Sequence, residues 1–291
     1  MIVGLFPGQG IPAATVLDAL PAGEALLDGA SEVCGYNLRR KVEIAARRKG
    51  ALLPTSVAQP AIYVASMISY RRAKEEGRQF DFFAGHSLGE YSALAAAGAF
   101  DFEPGLRCVL ARAEAMQVAS KRAPGGMAAV LGLDLDAVEG IADRAGVQVA
   151  NDNGPGQAVL AGGEEELAVA AARVRSQGGR SVLLEVSGPF HTAAMASAAP
   201  VLRRALAGVE IGDLGVPVVS NVTARPHGSP HEVAELLVRQ LSSRIRFRES
   251  LEWLRAQGVT EWHDFGPGRV VAGLAQRTFD ARPPQEVRAS A

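Results

Sequence analysis

A chain of 291 residues, 48% of them hydrophobic, is long enough for one large core or two modest ones. Its 30 basic and 31 acidic side chains leave a net charge of −1, which removes any electrostatic case for binding nucleic acid or an anionic membrane. Cys34 and Cys108 lie far apart without metal-ligand spacing and read as free thiols of a reducing compartment, while the basic residues are arginines except for Lys41, Lys49, Lys74 and Lys121.

The first element predicted is a buried strand over 2–6, an apolar run with no basic segment before it and so not a signal peptide. No stretch is apolar for long enough to span a bilayer, and the expectation is a soluble cytoplasmic protein. Pro7-Gly8-Gln9-Gly10 then turns the main chain close over the sheet edge. Helices follow to about Glu75, with breaks predicted at Leu53-Pro54-Thr55 and at Gln59-Pro60. Phe82-Phe83-Ala84 reads as a strand, joined by Gly85-His86-Ser87-Leu88-Gly89 to an Ala-rich helix former over 92–99. An amphipathic helix over 106–120 is stopped by Ala123-Pro124-Gly125-Gly126.

Beyond this point the order changes. It runs strand 127–133, helix 135–145, strand 147–150, a turn over 151–156, strand 157–161, helix 164–177 and strand 180–186. That β-α-β-β-α-β order belongs to a ferredoxin-like unit. Residues 125–188 therefore read as a small ferredoxin-like subdomain inserted into a core made of 1–124 and 189–291. The core resumes with helix 193–206, strand 216–221, helices 232–241 and 250–257, and strand 261–265. A last helix follows Gly266-Pro267-Gly268, and Pro- and Arg-rich sequence from Asp280 onward predicts a frayed tail. The fold class expected is α/β: an α/β-hydrolase-like core with a parallel sheet and a nucleophile elbow, plus the inserted subdomain.

A Gly-x-Ser-x-Gly match gains meaning from a strand before it and a helix after it, the context of a nucleophile elbow. Gly85 and Gly89 supply the small residues that the close turn needs, and Ser87 becomes the candidate nucleophile at a helix N-terminus. There the N–H of Leu88 points toward any oxyanion that forms. A serine hydroxyl needs a base to take its proton. His86 adjoins Ser87 and points away, a structural role. His227 and His231 stand in a polar Pro/Gly loop and read as solvated. His191, in the turn where the subdomain rejoins the core, and His263, at a strand end, remain as candidates.

The chain resembles the malonyl-CoA:acyl carrier protein transacylases of fatty-acid synthesis and the acyltransferases that serve polyketide synthases. The matching segments run in order: Phe6-Pro7-Gly8-Gln9-Gly10, Gln59-Pro60-Ala61, Gly85-His86-Ser87-Leu88-Gly89-Glu90, Arg112 with Met116-Gln117, Pro155-Gly156-Gln157, Gly188-Pro189-Phe190-His191 and Phe265-Gly266-Pro267-Gly268. The resemblance implies Ser87 as nucleophile, His191 as general base and acid, and the backbone carbonyl of Gln240 in place of an acidic third member. It also implies an oxyanion hole from the N–H groups of Gln9 and Leu88, and Arg112 as the partner of a malonyl carboxylate. A planar guanidinium meets a carboxylate in a bidentate pair, so malonyl groups are favoured over simple acyl groups. Phe190 implies malonyl over methylmalonyl, and Gln59 a further pocket residue.

The implied reaction is ping-pong transfer of malonyl from malonyl-CoA to the phosphopantetheine thiol of an acyl carrier protein. It needs no metal or other cofactor. The resemblance also suggests a monomer, and an acidic carrier would suit a basic rim at Arg269 and Arg277. Three competing readings remain: a carrier-thioester hydrolase of the same fold, a non-catalytic scaffold that docks carriers, and a general esterase.

Overall fold

The structure, a computed structural model, describes residues 1–280. Asp280 closes the last helix, and the rest of the expected tail lies outside the described residues. The chain opens with β1 (Ile2–Phe6), then α1 (Ala13–Asp18), α2 (Ala25–Cys34), α3 (Leu38–Ala46) and the long α4 (Thr55–Glu75). β2 (Phe82–Gly85) leads through a sharp turn into α5 (Gly89–Ala96), followed by α6 (Phe102–Arg122). Next come β3 (Gly126–Leu131), α7 (Leu135–Ala145), β4 (Gln148–Gly154), β5 (Gln157–Gly162), α8 (Glu164–Ser176) and β6 (Arg180–Leu184). A 3-10 turn over Ala193–Ala198 runs into α9 (Ala199–Ala207), then β7 (Val218–Val219) and α10 (Pro230–Gln240). β8 (Ile245–Arg246), α11 (Phe247–Ala256), β9 (Glu261–Asp264) and α12 (Val270–Asp280) complete the order.

β1 lies inside a parallel sheet of order β7–β2–β1–β9, with Phe6 opposite Gly85 and Leu5 opposite Asp264. A parallel strand covered on both faces reads as a continuous apolar run, and the sequence of β1 does. Its C-terminal end and that of β2 therefore meet at one edge, where Pro7 and His86 leave the sheet. Phe6, Phe83 and Phe265 pack their rings under that edge at centroid distances of 5.0 and 5.7 Å.

The second sheet runs β6–β3–β5–β4–β8. Its first four strands are antiparallel in the ferredoxin order, with Val138 and Ile141 of α7 and Val174 of α8 in one buried cluster with Val130 and Leu160 of the sheet. β8 pairs parallel to β4, Asn151 opposite Ile245, so a strand of the core extends the small sheet. Arg248 on α11 fastens the junction by donating from Nε to both oxygens of Asp152 at 3.0 Å.

Two expectations are corrected. No break occurs at Gln59-Pro60, because α4 runs through both residues. Pro60 removes one N–H, and the Ser56 carbonyl that would accept it instead meets the Tyr36 hydroxyl at 3.5 Å. No turn spans 151–156 either: β4 continues to Gly154, and only Pro155-Gly156 connects it to β5, with Gly156 at φ 67°. The polar run Asn151-Asp152-Asn153 mimics a turn, yet β4 carries two register shifts and buries all three side chains, Asp152 held by Arg248 and Asn153 by His86. Strand 216–221 is shorter than expected, since Ser220 and His227 bond across a tight reversal to Arg225 and Val218. Among the described residues no helix is long and apolar enough to cross a membrane.

Candidate active site

The turn after β2 is as tight as its glycines require. A Cβ on Gly85 would sit 2.0 Å from the carbonyl carbon of Gly89, and one on Gly89 would sit 2.0 Å from the Phe6 oxygen. Between them Ser87 adopts φ 53°, a left-handed conformation that costs a non-glycine residue about 1–2 kcal/mol. Neighbours hold it there. The Asn221 side chain accepts from the Ser87 N–H at 2.7 Å and donates to the Gly85 carbonyl at 2.6 Å. The Gln240 amide donates to the Ser87 carbonyl at 3.0 Å.

His191 also lies at positive φ, 60°, in the segment between β6 and the 3-10 turn. Its Nε2 is 2.8 Å from Ser87 Oγ and its Nδ1 is 2.9 Å from the backbone carbonyl of Gln240. A carbonyl only accepts, so Nδ1 carries the proton and Nε2 offers its lone pair to the serine hydroxyl. Burial pushes the imidazole down to about 3, and the nearby Arg112 charge adds to this, so the ring is a neutral base.

Arg112, on α6, is 1% exposed. Nη1 donates to Gln59 Oε1 at 2.7 Å, and Nη2 donates to Ser87 Oγ at 3.0 Å and to Gln240 Oε1 at 2.9 Å. The guanidinium lies 5.4 Å from the centre of the Tyr91 ring. Among the described residues its Nε has no partner despite being buried. A buried cation with an unused donor is a place for an anion.

The N–H groups of Gln9 and Leu88 have no acceptor among the described residues, and Gln59 Nε2 approaches Gln9 Oε1 at 3.4 Å. Phe190 is buried beside His191. Ser87, His191, Arg112, Gln59 and Gln240 are thus joined by direct bonds, with Gln9 reached through Gln59.

The other histidines separate cleanly. His86 is half-buried and bonds Asn153 Oδ1 through Nε2 at 2.7 Å, tying the elbow to β4. His263 packs on Phe80 and Phe265 and lines a surface cavity with Arg72, Glu76 and Arg78, so it does not meet Ser87. His231 is exposed beside Glu235. His227, expected in solvent, is buried instead, its Nε2 2.8 Å from Glu90 Oε1. The loop folds back on β7, and the buried Glu90 carboxylate supplies the polar partner that makes this possible. Of the two arginines expected at the rim, Arg269 is exposed and Arg277 reaches Gln157 at 2.9 Å. Neither lines a cavity that contacts Gln9 or His191.

Sequence reasoning missed Glu90, Asn221 and the Gln240 side chain. Glu90 Oε2 accepts from the Asn221 N–H at 3.0 Å and from Gln240 Nε2 at 2.7 Å. The one available signal is an acidic residue within an otherwise apolar, fully buried segment of α5. Among the described residues no group of three or more His, Cys, Asp or Glu could hold a metal.

Comparison with known proteins gives one consistent result. The sequence pattern of the acyl transferase domain matches residues 9–287. The malonyl CoA-acyl carrier protein transacylase of Bacillus subtilis is 39% identical over 286 residues, 95% of this chain and 90% of that protein. The crystal structure of an acyl-carrier-protein S-malonyltransferase from Burkholderia pseudomallei superposes with a TM-score of 0.87 at 36% identity, covering 95% of this chain and 92% of that one. A malonyl-transacylase solved in complex with its type II polyketide synthase acyl-carrier protein gives a TM-score of 0.86 at 36% identity, covering 95% and 92%.

Proposed function

The chain belongs to the acyl transferase domain family, and from that premise we propose that it moves a malonyl group from malonyl-CoA to the phosphopantetheine thiol of an acyl carrier protein. The Bacillus relative and the carrier complex support both the donor and the acceptor. The observation that carries the reading is Arg112, a buried guanidinium bonded to the hydroxyl of Ser87, itself bonded to a neutral histidine.

In the first half-reaction Ser87 Oγ attacks the thioester carbonyl while His191 Nε2 takes its proton. The N–H groups of Gln9 and Leu88 receive the oxyanion, each worth about 3–4 kcal/mol in the transition state. The C–S bond breaks, His191 gives the proton to the leaving thiolate, and a malonyl ester remains on Ser87. In the second half the carrier thiol passes its proton to His191, attacks the ester, and Ser87 recovers its hydrogen. Acylation turns Ser87 Oγ into a poor acceptor, which releases Arg112 Nη2 to pair with the malonyl carboxylate. Phe190 narrows the space for a 2-methyl branch.

No cofactor takes part in this scheme, since the CoA thioester is a substrate. Ser87, His191 and Arg112 meet within one chain, so a monomer, which the resemblance suggests, would be sufficient for this scheme. Free Cys34 and Cys108 support a reducing, cytoplasmic setting.

The test is intact-protein mass spectrometry after brief mixing with malonyl-, methylmalonyl- or acetyl-CoA, followed by a chase with or without carrier. A malonyl adduct on Ser87 that persists in water and discharges to the carrier is the expected result. An adduct lost equally fast without carrier makes the enzyme a hydrolase.

A further inference from the structure

A cavity of about 320 Å³ is lined by Gln9 and Arg48, together with Leu52, Leu53, Pro54 and Thr55. We propose that Arg48 binds the phosphate of the pantetheine arm as that arm enters the site along this cavity. The inference rests on the malonyl-transfer reading and assigns the part of the substrate farthest from the reacting carbon.

Three observations carry it. Gln9 joins the cluster around Ser87 through the Gln59 amide at 3.4 Å, so one wall of the cavity borders the residues that surround the reacting serine. Its lining mixes the apolar Leu52, Leu53, Pro54 and Val186 with the hydroxyls of Thr55 and Ser187, which suits a thin amide-bearing arm. The third concerns charge. Arg39, Arg40 and Lys41 on α3 all have partners: the Leu20 carbonyl, Glu43 and the Tyr36 ring. Arg48, two residues past the end of α3, is exposed, and among the described residues its side chain makes no hydrogen bond or ion pair. Arg48 is thus a cation without a side-chain partner in the wall of this cavity, which also holds the carboxylate of Glu185. A guanidinium matches a phosphate in a bidentate pair.

Both CoA and the carrier's prosthetic group bear a phosphate at this end of the pantetheine, so the donor and acceptor half-reactions are measured separately. Ser87 loading is compared for malonyl-CoA and for malonyl-pantetheine, which has no phosphate. Discharge is compared for holo-carrier and for free pantetheine. Arg48→Ala should lower kcat/KM for malonyl-CoA about three- to tenfold through KM, and the ratio of malonyl-CoA to malonyl-pantetheine should fall by the same factor. Arg48→Lys should recover most of this, Arg48→Glu should lose more, and added salt should shrink the difference. An effect on loading alone assigns the CoA phosphates, one on discharge alone the carrier phosphate, and one on both their shared position. Equal losses with and without phosphate, or no loss in either half, overturn the proposal. If wild-type protein forms no malonyl adduct from either donor, it is the malonyl-transfer reading that fails.

Discussion

Replacing Arg112 by Met keeps a long unbranched side chain in the same space and removes the charge. The guanidinium has five N–H donors, of which three are used, by Gln59, Ser87 and Gln240. The buried Nε has none. Truncating one partner of a buried, hydrogen-bonded charge pair costs about 2–5 kcal/mol, which corresponds to about 30- to 4,000-fold in an affinity or rate ratio. Arg112→Met should therefore lower kcat/KM for malonylation of Ser87 by a factor in that range. Acetylation should fall far less, because an acetyl group has no carboxylate to lose a partner. The variant also leaves Gln59 Oε1 and Gln240 Oε1 without a donor, a cost of about 1–3 kcal/mol for each group that finds no water. A lowered melting temperature is thus expected, and the comparison of substrates has to be made well below it.

The same substitution touches His191. Burial is the larger cause of its depressed basicity and Arg112 the next. Its apparent pKa should rise in the variant yet stay below the ordinary value. Initial rates of adduct formation from malonyl- and acetyl-CoA, followed by intact mass across pH, read both effects. Equal loss for the two donors would refute the carboxylate role and leave Arg112 as a prop for Ser87.

Asn221→Ala removes two of the three side-chain bonds that brace the elbow and should cost about 2–4 kcal/mol of stability with a fall in kcat, read by denaturant titration and single-turnover acylation. Gly89→Ala would drive a methyl to 2.0 Å from the Phe6 oxygen, so it should destabilise by about 3 kcal/mol or more; a folded, active Gly89→Ala protein would contradict the elbow geometry. The rate of Ser87 acylation should lack a limb near the ordinary histidine value of 6.5, because His191 is held down at about 3 and stays neutral through mildly acidic pH. Its depressed pKa also means that the unfolded chain binds the extra proton first. The stability it contributes is fully present above about pH 6.5 and is lost as pH falls toward about 3. Denaturant midpoints at several pH values check this, and an acylation limb at pH 6.5 would show the imidazole to be solvated.

The elements that carry the reaction were legible because their signals are local. A strand, two glycines and a helix around Ser87 specify the elbow within eight residues, and the β-α-β-β-α-β order specifies the small sheet. Pro60, the run Asn151-Asp152-Asn153 and His227 were misread for one shared reason. Each carries a local mark of a break, a turn or a solvated loop, and each is overridden by a partner distant in sequence. Asn153 meets His86 across 67 positions and His227 meets Glu90 across 137. A polar side chain is buried when a partner waits for it, and the sequence does not announce that partner.

The same distance explains why the support of the site was invisible. Among the described residues no carboxylate touches His191, yet one stands a single side chain away. Glu90 Oε2 accepts from Gln240 Nε2, while the Oε1 of that same amide accepts from Arg112 and its backbone carbonyl accepts from His191. Gln240 thus lies between the buried anion and both functional cations, the permanent one on Arg112 and the transient one on His191. A carboxylate placed directly on His191 would raise its pKa, and one placed directly on Arg112 would occupy the donors that a malonyl group needs. Relayed through an amide, Glu90 offsets the buried charge of the guanidinium and leaves Nε and one Nη1 hydrogen unspent. The guanidinium is therefore backed by a relayed anion while two of its donors stay unspent, and under the proposed transfer those donors are left to select the acyl group's own carboxylate.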